Sequence, residues 1–418
     1  DPSDLPSFDL VVLGGGPAGT SGALAGALLG KRVALVEQAA VIGGAGVNTG
    51  TIPSKTLRET ALLLSGGRSR QLLGVDLSLR REATIHDLMR HEERVKQTER
   101  QRLEARLAKE KVERFHGTAT FVDPHTVRIV DEGGAERRIR GEKILIATGS
   151  SPLRPPEFDF ADDRVHDSDE ILELKALPKR LVVIGGGVIG SEYAGTFAAL
   201  GVEVHLVDGR ASLMPFLDEE LSRGLVDAMT ARGVRFHWQE KVVRCDASRP
   251  GDVVLTLSSG LTLAADGVLV CSGRSSNTGS LALGAAGLSP GKRGLIRVGP
   301  SFQTTEVPHL YAAGDVIGPP ALAATGIEQA RVAVFHAFGA SLKSDLAPLL
   351  PTGVYTIPEA SCVGDSEQAL VEKQIPYVVG RAWYRDLPRG QIMGDEEGFL
   401  KLLFHRDDMQ RDLARVID

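Results

Sequence analysis

The chain is poor in cysteine: Cys245, Cys271 and Cys362 are the only three, widely spaced and in no CxxC or ligand-like cluster. They support neither a disulfide framework nor a zinc site, and they fit a reducing cytoplasm. Positive charge is not in excess either. Lys and Arg total 48 against 54 Asp and Glu, a formal net charge of −6, which argues against a nucleic-acid footprint or an anionic membrane surface and favours small soluble partners. Aromatic residues make up 5% of the chain; Trp238 and Trp383 stand alone and read as packing groups. No Ser/His/Asp set, paired carboxylate motif or basic aromatic surface stands out. One uncharged run, Leu10 to Gly30, has the length of a membrane span. It is rich in glycine and lacks the basic flank of a signal peptide, so a buried strand, turn and helix explains it better.

What is abundant is glycine, 48 of 418 residues, against a usual share of about 7%. The length allows roughly three domains at about 150 residues each. Residues 9–13 read as a buried parallel strand, Gly14 to Gly19 as a tight turn, the Ala/Leu-rich stretch to Leu29 as a helix, and residues 32–37 as a second strand. In that context Gly14 permits the turn, Gly16 lets backbone approach a pyrophosphate, and Gly19 allows close helix packing. Glu37, ending the second strand, can hydrogen-bond a ribose 2′-OH. The same grammar returns at residues 180–184, the turn Gly185, Gly187 and Gly190, a helix to Leu200, and a strand from Val202 to Asp208. Two copies mean two nucleotide-binding units. The second ends Asp208, Gly209, Arg210. An acid there suits the diol of NAD, and an arginine two residues on suits the 2′-phosphate of NADP; the alternative is a solvated loop arginine.

Each copy leads into a β-rich excursion, residues 118–130 and 253–263, and an apolar return strand, residues 143–147 and 267–271. Residues 86–113 read as a charged helix of mixed sign with a solvated face. His116 and His205 read as packing or surface groups. Near Pro351 the glycine-rich pattern stops, and residues 354–359, 377–381 and 399–403 read as strands of a separate, short module. The ending from Asp408 to Arg415 fits no expected strand.

Between the two copies stands the run Gly43 to Lys55, GGAGVNTGTIPSK. Together with Ala147-Thr148-Gly149, Gly273-Arg274 and the run from Ala312 to Asp315, it resembles the flavoprotein disulfide reductases related to dihydrolipoamide dehydrogenase, over residues 8 to about 405. The resemblance implies an α/β fold of two Rossmann-like, three-layer dinucleotide-binding domains plus a partial α+β interface domain. The expected division is an FAD-binding domain in two pieces, residues 1–150 and 275–345, an NAD(P)-binding domain at 151–274, and an interface domain at 346–418. It further implies FAD bound at Gly14, Gly16, Gly19, Glu37, Gly44, Gly46, Gly117, Thr148, Gly149 and Asp315, the last on the ribityl chain. The helix beginning near Ala321, with Ala323 in its first turn, would aim its amides at the flavin pyrimidine edge. The nicotinamide cofactor would lie on Gly185, Gly187, Gly190, Asp208, Arg210 and Gly273.

The departure from that family is as informative as the match. Disulfide reductases carry two cysteines in GGxCxNxGCxPSK; this chain has Gly46 and Thr51 there. Without a thiolate there is no nucleophile for disulfide exchange. Loss of the dithiol with GTIPSK retained resembles the soluble, Si-specific NAD(P)+ transhydrogenases. That resemblance implies a ping-pong exchange, NADPH + NAD+ ⇌ NADP+ + NADH, through FAD, with NAD and NADP as substrates in a cytoplasmic homodimer. Lys55 would lie near flavin N5, paired with Glu192, beside Thr51. The competing expectations are a diaphorase or NAD(P)H oxidase without a dithiol, and a redox sensor that binds both cofactors without turnover. The His-Glu couple of disulfide reductases would lie beyond Asp418, so the sequence is expected to be incomplete at that end.

Overall fold

The computed structural model describes residues 5–65, 85–394, 396–406 and 412–415. Tertiary contacts divide the chain into two units, one of residues 1–53, 93–151 and 274–347, the other of residues 54–92, 152–273 and 348–418.

In the first unit the apolar run Ser7–Leu13 pairs in parallel with Val33–Glu37 on one side and with the end of Glu136–Ile146 on the other, Leu10 facing Val33 and Lys143. Val33–Glu37 pairs in turn with Glu113–His116. Continuous apolar strands are what a sheet buried on both faces requires, and Leu10 to Leu13 are all 1% exposed or less. The long strand Glu136–Ile146 changes role along its length. Its first half runs antiparallel to Thr126–Val130, which pairs back to Thr118–Phe121, and its last residues run parallel to Leu310–Ala312. The turn between Thr118–Phe121 and Thr126–Val130 is held by Asp123 Oδ1, which accepts from the amides of His125 and Thr126 at 2.8 Å each, as turn aspartates do.

The second unit holds a five-stranded parallel sheet in the order Val234–Trp238, Glu203–Asp208, Arg180–Ile184, Gly267–Val270, Val165–Asp167. It also holds a three-stranded antiparallel sheet of Val242–Asp246, Val253–Leu257 and Thr262–Ala265, and a five-stranded one from the C-terminal region. That last sheet departs from expectation at two places. The strand read over residues 354–359 stops at Val354, because the next backbone groups are taken elsewhere: the Tyr355 amide by Glu192 and the Thr356 carbonyl by Arg58. Asp412–Arg415 is a strand, pairing with Ala360–Gly364 and Phe399–His405; residues 408–411 of the same ending lie outside the described residues.

The two glycine helices, Pro17–Leu28 and Val188–Ala199, end alike. Gly30 donates to Ala27 and Lys31 to Gly26; Gly201 donates to Ala198 and Val202 to Phe197. These are paired C-terminal caps around a glycine at φ 72° and 85°, a conformation that an L side chain resists. Both helices are Ala/Gly-rich so that they lie close to their sheets. The helix Ala323–Ala337 starts two residues later than the sequence suggests, since Leu322 is extended. Among the described residues, no helix is long and apolar enough to cross a membrane.

Candidate functional site

In the first unit the strand Ser7–Leu13 runs into a turn with no room for side chains. A Cβ on Gly14 would fall 2.3 Å from the Ala147 carbonyl oxygen, and one on Gly19 would fall 1.8 Å from the Gly14 oxygen. Gly16 precedes the helix Pro17–Leu28 without a side-chain cap, which leaves first-turn amides for a ligand. Glu37 is fixed between turn and strand end: the Gly15 amide donates to Oε2 at 2.6 Å and the Ala39 amide to Oε1 at 2.8 Å. Its remaining lone pairs suit ribose hydroxyls.

Around this turn lie the other candidates of the unit. Gly44 stacks on Gly16, where a Cβ would come 2.7 Å from the Gly16 Cα, and Gly117 lies against the Val130 oxygen. The Thr148 hydroxyl is buried without a partner among the described residues, and the Gly149 carbonyl accepts from the Asn277 amide at 3.0 Å. Asp315 accepts from the Ser150 hydroxyl at 2.7 Å, and Arg274 in turn donates to the Ser150 Oγ and carbonyl, both at 2.8 Å. Ala323 opens a 15-residue helix with no side-chain cap. A glycine turn that a Cβ on Gly14, Gly19 or Gly44 would fill, an orphaned hydroxyl and an acid for a diol fit a dinucleotide that has no 2′-phosphate.

Of the two positions where disulfide reductases carry cysteine, the first is crowded by a neighbouring ring. A Cβ on Gly46 would lie 2.5 Å from Cγ of Pro17, the first residue of the glycine helix, so the fold has packed over the place of the first thiol. Thr51, at the second place, opens the helix Thr51–Leu64. Elsewhere, burial pushes the Cys245 thiol up to about 11, helped by Asp162, and burial also raises Cys362. Neither is a thiolate at neutral pH.

The second unit repeats the turn. A Cβ on Gly185 would meet the Cys271 oxygen at 2.5 Å, one on Gly190 would meet the Gly185 oxygen at 1.9 Å, and Gly187 precedes the helix uncapped. Asp208 takes the place of Glu37, its Oδ2 accepting from the Gly186 amide at 2.6 Å. Here the acid also has a cation. Arg210 donates from Nε to Oδ1 at 2.8 Å and from Nη2 to Oδ2 at 2.5 Å, and its amide reaches Oδ1 at 2.7 Å. Burial pushes the Asp208 carboxyl up, but the Arg210 fork and the Arg210 and Gly186 amides outweigh it and hold the group below its usual range. Gly185, Gly187, Asp208, Arg210 and Gly273 line one cleft of about 520 Å³, ample for part of a nucleotide.

Lys55 and Glu192 meet in the same unit. Lys55 Nζ donates to Glu192 Oε2 at 2.7 Å, and Glu192, 5% exposed, accepts the Tyr355 amide on Oε1 at 2.9 Å. Lys55 Nζ also lies 4.9 Å from the centre of the Tyr355 ring, within cation–π reach. Tyr355 and Ser150 had escaped notice in the sequence. Ser150 could have been found, since it directly follows Ala147-Thr148-Gly149; nothing in the pattern marks Tyr355.

Residues 8–337 match the pyridine nucleotide-disulphide oxidoreductase family, and residues 350–410 match the dimerisation domain of that family. The chain belongs to this family. It is therefore an oxidoreductase with Rossmann-like domains and an interface domain. A Mycobacterium bovis protein named soluble pyridine nucleotide transhydrogenase is 45% identical over 407 residues, 97% of this chain and 86% of that protein. One of the same name from Colwellia psychrerythraea is 40% identical over 400 residues, 96% of this chain and 85% of that one. Among solved structures, LpdA from Mycobacterium tuberculosis superposes with a TM-score of 0.90 at 25% identity, covering 99% of this chain and 89% of its own. The HOCl-induced flavoprotein disulfide reductase RclA from Escherichia coli gives 0.87 at 28% identity, covering 98% and 89%.

Proposed function

We propose that this oxidoreductase exchanges hydride between the two nicotinamide nucleotides, NADPH + NAD+ ⇌ NADP+ + NADH, as a cytoplasmic homodimer. The observation that carries the reading is the Gly46 position, filled by Pro17, in a chain whose relatives bear the transhydrogenase name. FAD, on which this family depends, would supply the two-electron carrier that takes a hydride from one nicotinamide and gives it to the next.

Each residue then has a task that its geometry supports. Gly14 and Gly19 close the turn and Gly16 would leave backbone open to the FAD pyrophosphate, with Gly44, Gly46, Gly117, Thr148 and Gly149 around them and Glu37 on the adenosine ribose. Asp315, oriented by Ser150 and Arg274, holds the ribityl chain. The uncapped amides from Ala323 onward would offer a helix dipole to the negative charge of a reduced flavin, a contribution of about 0.3 to 2 kcal/mol. In the second unit Gly185, Gly187, Gly190 and Gly273 admit the nicotinamide nucleotide, and Asp208 and Arg210 meet its ribose or 2′-phosphate. Glu192, held by the Tyr355 amide, aims the Lys55 side chain; Thr51 stands one turn before it. No group in this set must move a proton onto sulfur, so the work of the site is positioning.

The purified, FAD-loaded protein is expected to reduce thio-NAD+ at the expense of NADPH and to leave lipoamide and glutathione disulfide untouched. Flavin reduction by NADPH without nucleotide exchange, accompanied by oxygen uptake, would overturn the assignment in favour of an oxidase.

A further inference from the structure

Two nucleotides that differ by one phosphate are to be handled by one cleft, and the charges around that cleft do not at first favour the heavier of the two. Glu157, Asp208 and Glu240 line it, against Arg210 and Lys241. Arg210 is spent on Asp208 through both guanidinium nitrogens described above, so the pair carries no net charge. A 2′-phosphate brings about −1.5 to −2 at neutral pH and would meet a carboxylate at close range.

Lys241 is the cation left over. Its backbone is locked to the segment that carries the acid: the Glu240 amide donates to the Asp208 carbonyl and the Gln239 amide to the Arg210 carbonyl, each at 3.1 Å, and the Ser258 amide donates to the Lys241 carbonyl at 2.8 Å. Its stem runs beside Gly209, the residue between Asp208 and Arg210, where a Cβ would lie 3.7 Å from Lys241 Cε. The neighbouring Glu240 carboxylate is turned to Ser258 Oγ at 2.5 Å and the Ser259 amide at 3.1 Å. Lys241 Nζ makes no ion pair or hydrogen bond to any other described residue.

We propose that Lys241 is a specificity-determining residue of the nucleotide cleft, supplying with Arg210 the second cation that binds the 2′-phosphate of NADP(H). The proposal rests on the reading that this cleft takes both nicotinamide nucleotides. When the phosphate arrives it bridges Lys241 Nζ and the outer face of the Arg210 fork, so Asp208 need not be stripped of its partner.

The test is calorimetric binding of 2′,5′-ADP and 5′-AMP to the FAD-loaded full chain, unsubstituted and as Lys241→Met and Lys241→Arg. Lys241→Met is expected to weaken 2′,5′-ADP about fivefold, as the loss of one exposed charge-assisted contact does, to flatten its salt dependence, and to leave 5′-AMP within about twofold; Lys241→Arg is expected to restore the difference. Unchanged 2′,5′-ADP affinity in Lys241→Met, or an equal loss for both ligands, would overturn the role of Lys241 alone. Failure of both ligands to bind the unsubstituted protein would overturn the cleft reading and the proposal with it.

Discussion

The two glycine turns are near copies in backbone and differ in what surrounds the acid. At Glu37 the carboxylate is held by two amides and forms no ion pair among the described residues. At Asp208 it is held by two amides and an arginine fork. The first arrangement suits one resident dinucleotide with a plain ribose diol. The second suits ligands that come and go with or without a phosphate, because Arg210 stays partly exposed while paired to its acid. Under the proposed function the same local grammar serves a cofactor seat and a substrate seat, and the distinction lies at Arg210, two residues past the acid.

Substitutions can separate the two seats, beginning with the largest effect. Gly19→Ala places a methyl 1.8 Å from a carbonyl oxygen, and Gly190→Ala does so at 1.9 Å. The first is expected to abolish FAD retention, read from the flavin absorbance of the purified protein, whereas the second keeps FAD and loses reduction by either nucleotide. If both lose FAD, the seats are not independent.

Next comes a contrast in stability. Lys401, 1% exposed, is paired in the second unit with Asp218 at 2.8 Å, itself 2% exposed, and with Glu367 at 2.6 Å. Burial pushes the Lys401 ammonium down, but its carboxylate partners outweigh this and hold it above the usual range; Asp218, also pushed up by burial, is held below its usual range by Lys401 and by the Glu367 and Glu220 amides. The lysine contribution is complete below about pH 10.4 and is lost as pH rises through the folded value. The aspartate contribution is complete above about pH 3.9 and is lost as pH falls through the folded value. Lys401→Met, which leaves the buried Asp218 carboxylate without its cation, is expected to cost about 3 kcal/mol across that window in urea unfolding of the NAD(P) seat, with FAD binding spared. An equal loss of FAD would contradict the separation.

Lys55→Met removes the cation that Glu192 orients and is expected to slow reduction by NADPH about 100-fold in rapid mixing, with FAD content unchanged. The smallest effect is the most selective. Arg210→Ala is expected to raise the KM for NADPH about tenfold and that for NADH less than twofold; equal changes would place Arg210 outside the ribose subsite.

Much of this was legible in the residues. The strand, turn, helix and strand of each seat follow from apolar runs and glycine spacing, and the acids at Glu37 and Asp208 from where those strands end. The pairing of Lys55 with Glu192 came through resemblance, since no periodicity joins residues on two separate helices. Three features had no local signal. Pro17 covering Gly46 is a packing event between two helices. The Tyr355 amide is drawn out of a strand by a distant carboxylate, so an apolar pattern misleads there. Lys401 reads as the polar member of an alternating strand, yet Asp218 and Glu367 bury it, and only the tertiary fold brings those carboxylates to it.

The central claim is that electrons cross this protein as hydride without sulfur. Its most direct test is the triple substitution Cys245→Ser, Cys271→Ser, Cys362→Ser in the FAD-loaded protein, with NADPH to thio-NAD+ exchange measured at saturating nucleotide, because Cys271 lines the cleft. The account predicts a kcat within about threefold of the unsubstituted protein, the range that packing changes alone produce. Abolished exchange with FAD retained would contradict it.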